Sequence, residues 1–308
     1  MNYSTIGIDI SKHFLDVCYL PTGEVAQFTN DEQGFKDFVK ALKKSSFEKI
    51  LMEDTGCYHK AFYRFLLSKF DNIFVINPKR IRDFAKSLGR LAKTDKLDAF
   101  VIATYGERMN IISKIKRSAS SEKLKAFVIR RRQLINIRKQ EYNHIETCLD
   151  EDFKVSIGRI IESIDNEIKI IEKSIKDLIK NDKFYKSVYQ RLSQIIGVGD
   201  VLITTLLSDL PELGYLNKRQ ISSLAGLAPM NCDSGKMRGS RHIQGGRSSV
   251  RQALYMGTLS AIKANDVIQQ YYEHLIDEGK PSKVALTACM RKLLIHINSV
   301  FCKEFCLI

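Results

Sequence analysis

The chain has 308 residues and a formal net charge of +14, with 49 lysine and arginine side chains against 35 aspartate and glutamate. Hydrophobic residues make up 44% of it, which excludes an intrinsically disordered chain. The longest run without a charged residue is 220–232, and this is shorter than the ~20 apolar residues of a membrane-spanning helix. Charged residues near the start also argue against a signal peptide.

The basic excess is spread along the chain. The formal net charge is +3 for residues 1–110, +6 for residues 111–190 and +5 for residues 191–308. A surface of this kind favours phosphate backbones, because binding releases their counterions. On charge alone, a basic protein without a nucleic-acid partner stays open as the alternative.

The first hundred residues show alternating strand and helix patterns. Three early strands, then helix, strand, helix and strand, predict a mixed sheet with helices packed on it. The predicted strands are Tyr3–Ile10, Phe14–Leu20, Glu24–Phe28, Lys49–Met52 and Asn72–Ile76. The predicted helices are Phe35–Leu42 and about His59–Phe70.

From about residue 95 the pattern becomes helical. Isoleucine and leucine recur at spacings of three and four residues between Ile161 and Leu178, which predicts a buried heptad seam. An antiparallel hairpin with the helix around 120–148, or pairing with a second subunit, would bury it. Three consecutive arginines, Arg130, Arg131 and Arg132, interrupt a loosely apolar stripe in that helix, and we expect them to contact nucleic acid, with a solvated face as the alternative.

Four carboxylates in this part of the chain are candidates for a metal site. Asp9 and Glu53 end predicted strands, and Asp95 and Asp98 lie three residues apart on one face of a predicted helix. Clustered carboxylates repel one another unless a cation neutralises them, and hard oxygen ligands suit Mg²⁺ or Mn²⁺. Such an ion can stabilise charge that develops on a phosphoryl group. Taken singly, each residue is more often an ordinary strand-end or surface acid.

The last third of the chain is rich in glycine. Gly197 and Gly199 form a turn between two predicted helices, which resembles a helix-hairpin-helix element that holds a nucleic-acid backbone. Around the candidate nucleophile Ser234 lie basic residues suited to phosphate contact. These basic residues are Lys236, Arg238, Arg241, Arg247 and Arg251. A plain turn is the alternative for Ser234, and Ser240, Ser248 and Ser249 compete for its role.

The order of the motifs is more specific than any one of them. The acidic set resembles that of the RuvC-like branch of the ribonuclease H fold. The whole chain resembles transposases of insertion-sequence family one-hundred-and-ten, which are related to pilin-gene invertases. The motifs in family order are G-I-D-I-S-K, E-x-T-G-x-Y-H, K-T-D-x-x-D-A, I-x-G-V-G, R-Q-I-x-x-L-A-G-L-A-P and S-G-x-x-x-G.

The resemblance implies an organisation. It predicts a RuvC-like α/β domain at 1–115, a helical coiled-coil region at 116–190 and a mainly helical transposase domain at 191–308. It also implies a cytoplasmic, nucleoid-associated prokaryotic protein, without a membrane partner, that forms a dimer or, in the synaptic complex, a tetramer.

The resemblance also implies a chemistry. Ser234 is expected to attack DNA and form a phosphoserine link, while Asp9, Glu53, Asp95 and Asp98 bind Mg²⁺ (or Mn²⁺) at the same phosphate. The expected partners are donor and target DNA and a structured non-coding bridge RNA that selects sequence by base pairing. Asp54 departs from the family pattern, which has a small uncharged residue there. The alternatives are a metal-dependent nuclease or junction resolvase without a covalent intermediate, and a non-catalytic nucleic-acid-binding scaffold.

Overall fold

The fold was obtained as a computed structural model. It describes residues 2–42, 45–89, 95–109, 111, 119–231, 233, 239 and 241–305. The chain divides into two compact units, Met1–Lys114 and Ile115–Ile308, which are considered separately.

The first unit contains a five-stranded sheet with helices on both faces. Its strands are β1 (Asn2–Ile10), β2 (Phe14–Leu20), β3 (Glu24–Thr29), β4 (Ser46–Glu53) and β5 (Ile73–Ile76), in the order β3-β2-β1-β4-β5. β1 pairs antiparallel with β2 and parallel with β4, β2 pairs antiparallel with β3, and β4 pairs parallel with β5. The predicted mixed sheet is confirmed.

The two faces of this sheet have different cores because side chains alternate along each strand. On one face, even-numbered residues of β1 and β4 pack with the helices α1 (Glu32–Leu42) and α2 (His59–Leu67). On the other face, Leu51 and Cys18 pack with α3 (Pro78–Ser87) and α4 (Asp95–Arg108). The second face carries the candidate metal site.

Small residues allow α4 to lie directly on β1. A Cβ atom added to Gly7 would come within 2.3 Å of the backbone nitrogen of Ala103 and 2.4 Å of the carbonyl oxygen of Ala99. One added to Gly106 would lie 2.7 Å from side-chain atoms of Leu51 and Thr5. Since Thr5 meets the end of α4 and Gly7 its middle, the helix runs antiparallel to β1.

The second unit begins with a long helical hairpin. The two helices α5 (Ala119–Thr147) and α6 (Glu151–Asn181) are joined by residues 148–150. Arg131 pairs with Glu172 at 2.7 Å and Arg138 with Asp165 at 2.6 Å, and this register makes the helices antiparallel. The isoleucines of the predicted seam, Ile161, Ile164, Ile168, Ile171 and Ile175, are buried, with Leu178 partly buried. Of the two predicted ways to bury them, the structure shows the hairpin.

The hairpin shares one hydrophobic core with the rest of the second unit. Among its described residues, that remainder contains six helices and a two-stranded ribbon of β6 (Pro229–Met230) and β7 (His242–Ile243). The helices are α7 (Lys183–Leu192), α8 (Asp200–Asp209), α9 (Lys218–Leu224), α10 (Ser248–Ala264), α11 (Asp266–Asp277) and α12 (Ser282–Phe305). A compact unit and a functional domain are different divisions, so the predicted boundary near 190 stays a prediction.

One stretch of α12, Ser282–Phe301, is long and apolar enough to span a membrane by length and composition. Half of that stretch is buried inside the second unit, and Leu293, Leu294 and Ile297 belong to its hydrophobic core. A core helix therefore accounts for its apolar character.

Candidate active site

The strand order brings Asp9 and Glu53 to one end of the sheet. In the parallel pair of β1 and β4 the last register pair is Ile8 with Met52, so Asp9 and Glu53 are the next residues on neighbouring strands. Both are partly buried. An oxygen of the Asp9 carboxylate also accepts a hydrogen bond from the backbone nitrogen of Ile10 at 3.0 Å.

Both residues lie on the face that α4 covers. Asp9 follows Gly7 by two residues and Glu53 follows Leu51 by two, and side chains two apart in a strand share a face. Because α4 runs antiparallel to β1, its amino end lies towards Asp9. That end carries Asp98, which is partly buried and precedes the residue whose carbonyl oxygen meets Gly7. Asp95 begins the helix, and its side chain lies outside the described part of the structure.

The donor set suits a hard cation held by few protein ligands. Carboxylate oxygens at one end of one sheet face fit Mg²⁺ or Mn²⁺, which usually keep several water ligands. Within the described residues, however, no group of three or more His, Cys, Asp and Glu side chains is assembled closely enough to hold a metal ion. The described carboxylates thus fit an open site completed by water and phosphate oxygens, and not a closed protein cage.

Asp54, the departure from the family pattern, contacts a histidine. Its carboxylate is exposed and lies 3.6 Å from Nδ1 of His59, at the start of α2. Residues adjacent in an extended chain face opposite ways, so Glu53 is the residue of the two that shares the face of Asp9.

Sequence reasoning missed a third carboxylate on this face. Asp16 in β2 is opposite Asp9 in the antiparallel register, and directly opposite residues share a face. Its side chain is buried, with 3% of its surface exposed. Counting the hairpin register across the Pro21-Thr22-Gly23 turn would have found this pairing from the sequence.

The Gly-x-Gly turn precedes α8, as predicted for a helix-hairpin-helix element. Gly197 has φ +90°, and an added Cβ would lie 2.4 Å from the Cβ of Ala261, so close packing against α10 requires glycine there. Gly199 caps α8 and has open space around it. The first residue of α8 is Asp200, whose carboxylate accepts a 2.5 Å hydrogen bond from Tyr189 and raises the pKa of that phenol to about 12.

A carboxylate at the first position of α8 competes with a phosphate for the backbone N–H groups there. Lys176 lies 3.8 Å from the same carboxylate. Lys176 offsets part of the negative charge of Asp200, and phosphate binding by Gly197 and Gly199 stays a prediction.

The β6–β7 ribbon flanks the segment that contains the candidate nucleophile. Ser234, Lys236, Arg238 and the competing Ser240 lie outside the described residues. On either side the chain is closely packed, since an added Cβ on Gly246 would lie 2.1 Å from the backbone nitrogen of Gly226. The backbone nitrogen of Arg247 donates to the carbonyl oxygen of Leu224 at 3.0 Å.

The remaining predicted basic residues of this segment divide into two kinds. Arg241 is exposed. Arg247 forms a two-point ion pair with Glu212, with bonds of 2.5 and 2.7 Å. The guanidinium of Arg251 donates to the carbonyl oxygen of Gly245 at 2.8 Å. Two of the three described arginines are therefore already used to hold the glycine-rich segment in place.

The three arginines of α5 also differ from one another. Arg131 pairs with Glu172, and Arg132 donates to Asp209 at 2.7 Å. Arg130 is exposed and contacts Gln133 at 3.5 Å, and in the described part of the chain it forms no ion pair. Of the three, Arg130 has the guanidinium best placed to reach a phosphate.

Asp209 joins three helices, a contact that no local sequence pattern predicts. At the end of α8, its nearly buried carboxylate accepts hydrogen bonds from Arg132 of α5, Ser249 of α10 (2.5 Å) and Ser208 (3.1 Å). Burial raises the pKa of Asp209, but the bonds from Ser249 and Arg132 and the arginine charge outweigh burial, and the net pKa is lowered. Ser249, a competing nucleophile on sequence grounds, thus donates its hydroxyl to a carboxylate.

Two family models match the chain. One, a DEDD-type IS110 transposase model, matches residues 6–154, and the other, described as the transposase IS116/IS110/IS902 family, matches residues 189–273. The chain belongs to the IS110 transposase family. The predicted resemblance is confirmed, and the protein is an enzyme, a DNA transposase.

The transposase is also similar to two curated relatives. These are the pilin gene-inverting proteins of Moraxella bovis and Moraxella lacunata. Each is 28% identical to this chain over an alignment of 314 positions, which covers 96% of this chain and 94% of the relative. The first family match contains the acidic residues and α5, and the second contains the Gly-x-Gly turn, the ribbon and Ser234. The DEDD type of the first match suggests dependence on a divalent metal.

Proposed function

We propose that this transposase cuts and rejoins DNA strands through a phosphoserine intermediate, with a divalent metal bound by the acidic residues of an RNase H-like first domain. The observation that carries the proposal is the convergence of Asp9, Glu53 and the amino end of α4 at one end of one sheet face. The strand order β3-β2-β1-β4-β5, with three antiparallel and then two parallel strands, supports the RNase H-like assignment.

The proposed chemistry begins at Ser234. Its hydroxyl oxygen attacks a backbone phosphorus, the new O–P bond replaces the bond to one sugar oxygen, and the freed strand leaves with a hydroxyl group. A sugar hydroxyl of the other strand then attacks the same phosphorus and releases the serine. The energy of the phosphodiester bond is kept in the serine link, so rejoining needs no added energy source.

The first domain supports this reaction by charge. Asp9, Glu53, Asp95 and Asp98 would hold Mg²⁺ or Mn²⁺, which supplies stabilisation of the negative charge that develops on the phosphate oxygens. Asp98 and Asp95 are carried by a helix fixed on β1 through Gly7. The position of Asp98 relative to Glu53 therefore depends on that contact.

Nucleic-acid partners follow from the family and the charge. Donor and target DNA are the substrates that we propose, and a structured non-coding RNA selects them by base pairing, as the family resemblance implies. Arg130 and the exposed Arg241 are candidates for backbone contact. Two DNA duplexes must be held together during strand exchange, and this favours a dimer that becomes a tetramer in the synaptic complex.

The first experiment separates the serine mechanism from a metal-dependent nuclease or resolvase. Purified transposase with its bound nucleic acid is incubated with end-labelled DNA and Mg²⁺, and denaturing gels detect covalently attached DNA. The wild-type protein and Ser249→Ala should form the adduct, and Ser234→Ala should not. An adduct that persists in Ser234→Ala would show that the nucleophile is another residue.

The second experiment tests the metal site and the guide. Asp9→Ala and Glu53→Ala should lower strand exchange by at least about 10²-fold, whereas the exposed Asp54→Ala should have a smaller effect. If ribonuclease treatment and repurification leave recombination unchanged, the guide RNA is not part of the mechanism.

A further inference from the structure

The register of β1 and β2 places two carboxylates directly opposite each other. Asp9 is paired with Asp16, and both point to the face covered by α4. Cys18, two residues after Asp16, packs against Ala99 and Ala103 of that helix. Asp16 therefore lies beside Asp9 on the sheet face that α4 covers.

Asp16 is buried without a positive partner in the described part of the chain. Only 3% of it is exposed, and its carboxylate accepts a 2.9 Å hydrogen bond from Nε2 of Gln27, the residue opposite it on β3. Burying a carboxylate is costly unless it is paired, and like charges directly opposite in a sheet destabilise it. A cation bound at Asp9 would remove both costs.

We infer that Asp16 is a positioning residue of the metal site, which acts by adding negative potential behind Asp9 and by fixing the carboxylate geometry of this sheet end. Gln27 holds the Asp16 carboxylate in place, so the three residues form a row across β1, β2 and β3. The inference rests on the proposed metal site at Asp9. Outer carboxylates and amides of this kind orient and tune the groups that contact a metal.

The inference predicts opposite effects on stability and on metal affinity. Asp16→Asn keeps the shape and an acceptor oxygen for Gln27 but removes the charge opposed to Asp9. Without metal, the thermal midpoint should stay the same or rise by roughly 2–4 °C. The Kd for Mn²⁺ should rise about tenfold. A purely structural role would instead lower the midpoint and leave the affinity unchanged.

The test uses the full-length protein with four variants. Mn²⁺ binding is measured by isothermal titration calorimetry, and thermal unfolding is followed with and without Mn²⁺. The matched control is Asp37→Asn, since Asp37 also accepts hydrogen bonds from a glutamine, Gln33, but is exposed on α1. Asp9→Asn reports on the metal site itself, and Gln27→Ala removes the contact to Asp16 from an exposed position.

The outcomes distinguish the role of Asp16 from the existence of the metal site at Asp9. If Asp9→Asn weakens Mn²⁺ binding while Asp16→Asn matches Asp37→Asn, the role of Asp16 is overturned and the metal site stands. If Asp9→Asn binds Mn²⁺ like the wild type, the proposed metal site is wrong and the inference is overturned with it. If Asp16→Asn does not fold, Gln27→Ala decides: a roughly threefold higher Kd supports the inference, and wild-type affinity overturns it.

Discussion

Consecutive arginines in α5 have different partners, although the sequence presents them as one basic cluster. Arg131 and Arg132 form ion pairs within the second unit, whereas Arg130 is exposed. An arginine that pairs with a nearly buried carboxylate contributes to stability, since its loss leaves that charge without a partner. An exposed arginine contributes to phosphate binding through counterion release.

Alanine variants of Arg130 and Arg132 should have different effects, one on nucleic-acid binding and the other on stability. Arg130→Ala should reduce the salt dependence of DNA or RNA binding by about one unit of slope and leave the thermal midpoint within about 1 °C. Arg132→Ala should lower the midpoint by several degrees, on the order of 2 kcal/mol of unfolding free energy. Electrophoretic binding at several salt concentrations and thermal unfolding measure the two effects. Equal loss of stability in both variants would contradict the assignment.

Asp209 gives a pH dependence with a definite sign. Its pKa is lower in the native state than the ordinary value of 3.8, so it adds stability at pH values above 3.8. That contribution is lost as the pH falls through the lowered native pKa. Asp209→Asn should therefore cost about 2 kcal/mol at pH 7 and less at pH 3. Urea unfolding at both pH values measures the loss of unfolding free energy, with Asp177→Asn at an exposed position as control. A loss that is the same at both pH values would contradict the stabilising role of the ionised Asp209 carboxylate.

At the scale of elements, the contact between α4 and β1 determines the geometry of the acidic site. Gly7→Ala places a methyl group within 2.3 Å of the α4 backbone, and backbone cannot give way as a flexible side chain can. The helix must shift, and Asp98 with it. We expect a loss of about 2–4 kcal/mol of unfolding free energy.

The same variant should weaken Mn²⁺ binding and strand exchange more than stability alone explains. Thermal unfolding and calorimetry at 15 °C, where the variant is still folded, separate the two effects. The control is Gly158→Ala on α6, because that site has no atom within 4 Å of an added Cβ and lies in the other unit. Unchanged metal affinity in folded Gly7→Ala would contradict the coupling of α4 to the site.

The sequence predicted most of these elements because their patterns are local. Strands with alternating β-branched residues and the isoleucine seam at spacings of three and four were found close to their observed ends. No helix is predicted between the strand Asn72–Ile76 and residue 95, where the structure has α3. In fact Asn77 caps that helix by accepting from the backbone nitrogen of Lys79 at 2.9 Å, and proline suits the first helical turn.

The site was harder to predict because its contacts are not local. Asp9 and Glu53 could be identified from strand ends and motif order. Asp16 required the register between β1 and β2, and Asp209 required contacts among three helices separated by up to 77 residues. Side chains of this kind carry no periodic signal, since their role depends on what tertiary packing brings near them.

At the scale of the whole molecule, the +14 charge is shared between structure and binding. Arginines of α5 and of the glycine-rich segment pair with Glu172, Asp209 and Glu212, so part of the basic excess holds the second unit together. The first unit is nearly balanced in charge, and three of its carboxylates, Asp9, Asp16 and Glu53, lie at one end of one sheet face. This division agrees with a transposase whose proposed metal site lies in one unit and whose proposed nucleophile, Ser234, belongs to the other.

The central claim is that Ser234 becomes covalently attached to DNA. The most direct measurement is mass spectrometry of peptides from transposase stopped during strand exchange and digested with protease and nuclease. We expect a phosphodeoxynucleotide on the peptide that contains Ser234 in the wild-type protein, and an unmodified peptide in the Asp9→Asn variant. A nucleotide on Ser249 instead, or cleaved DNA without any modified peptide, would contradict it.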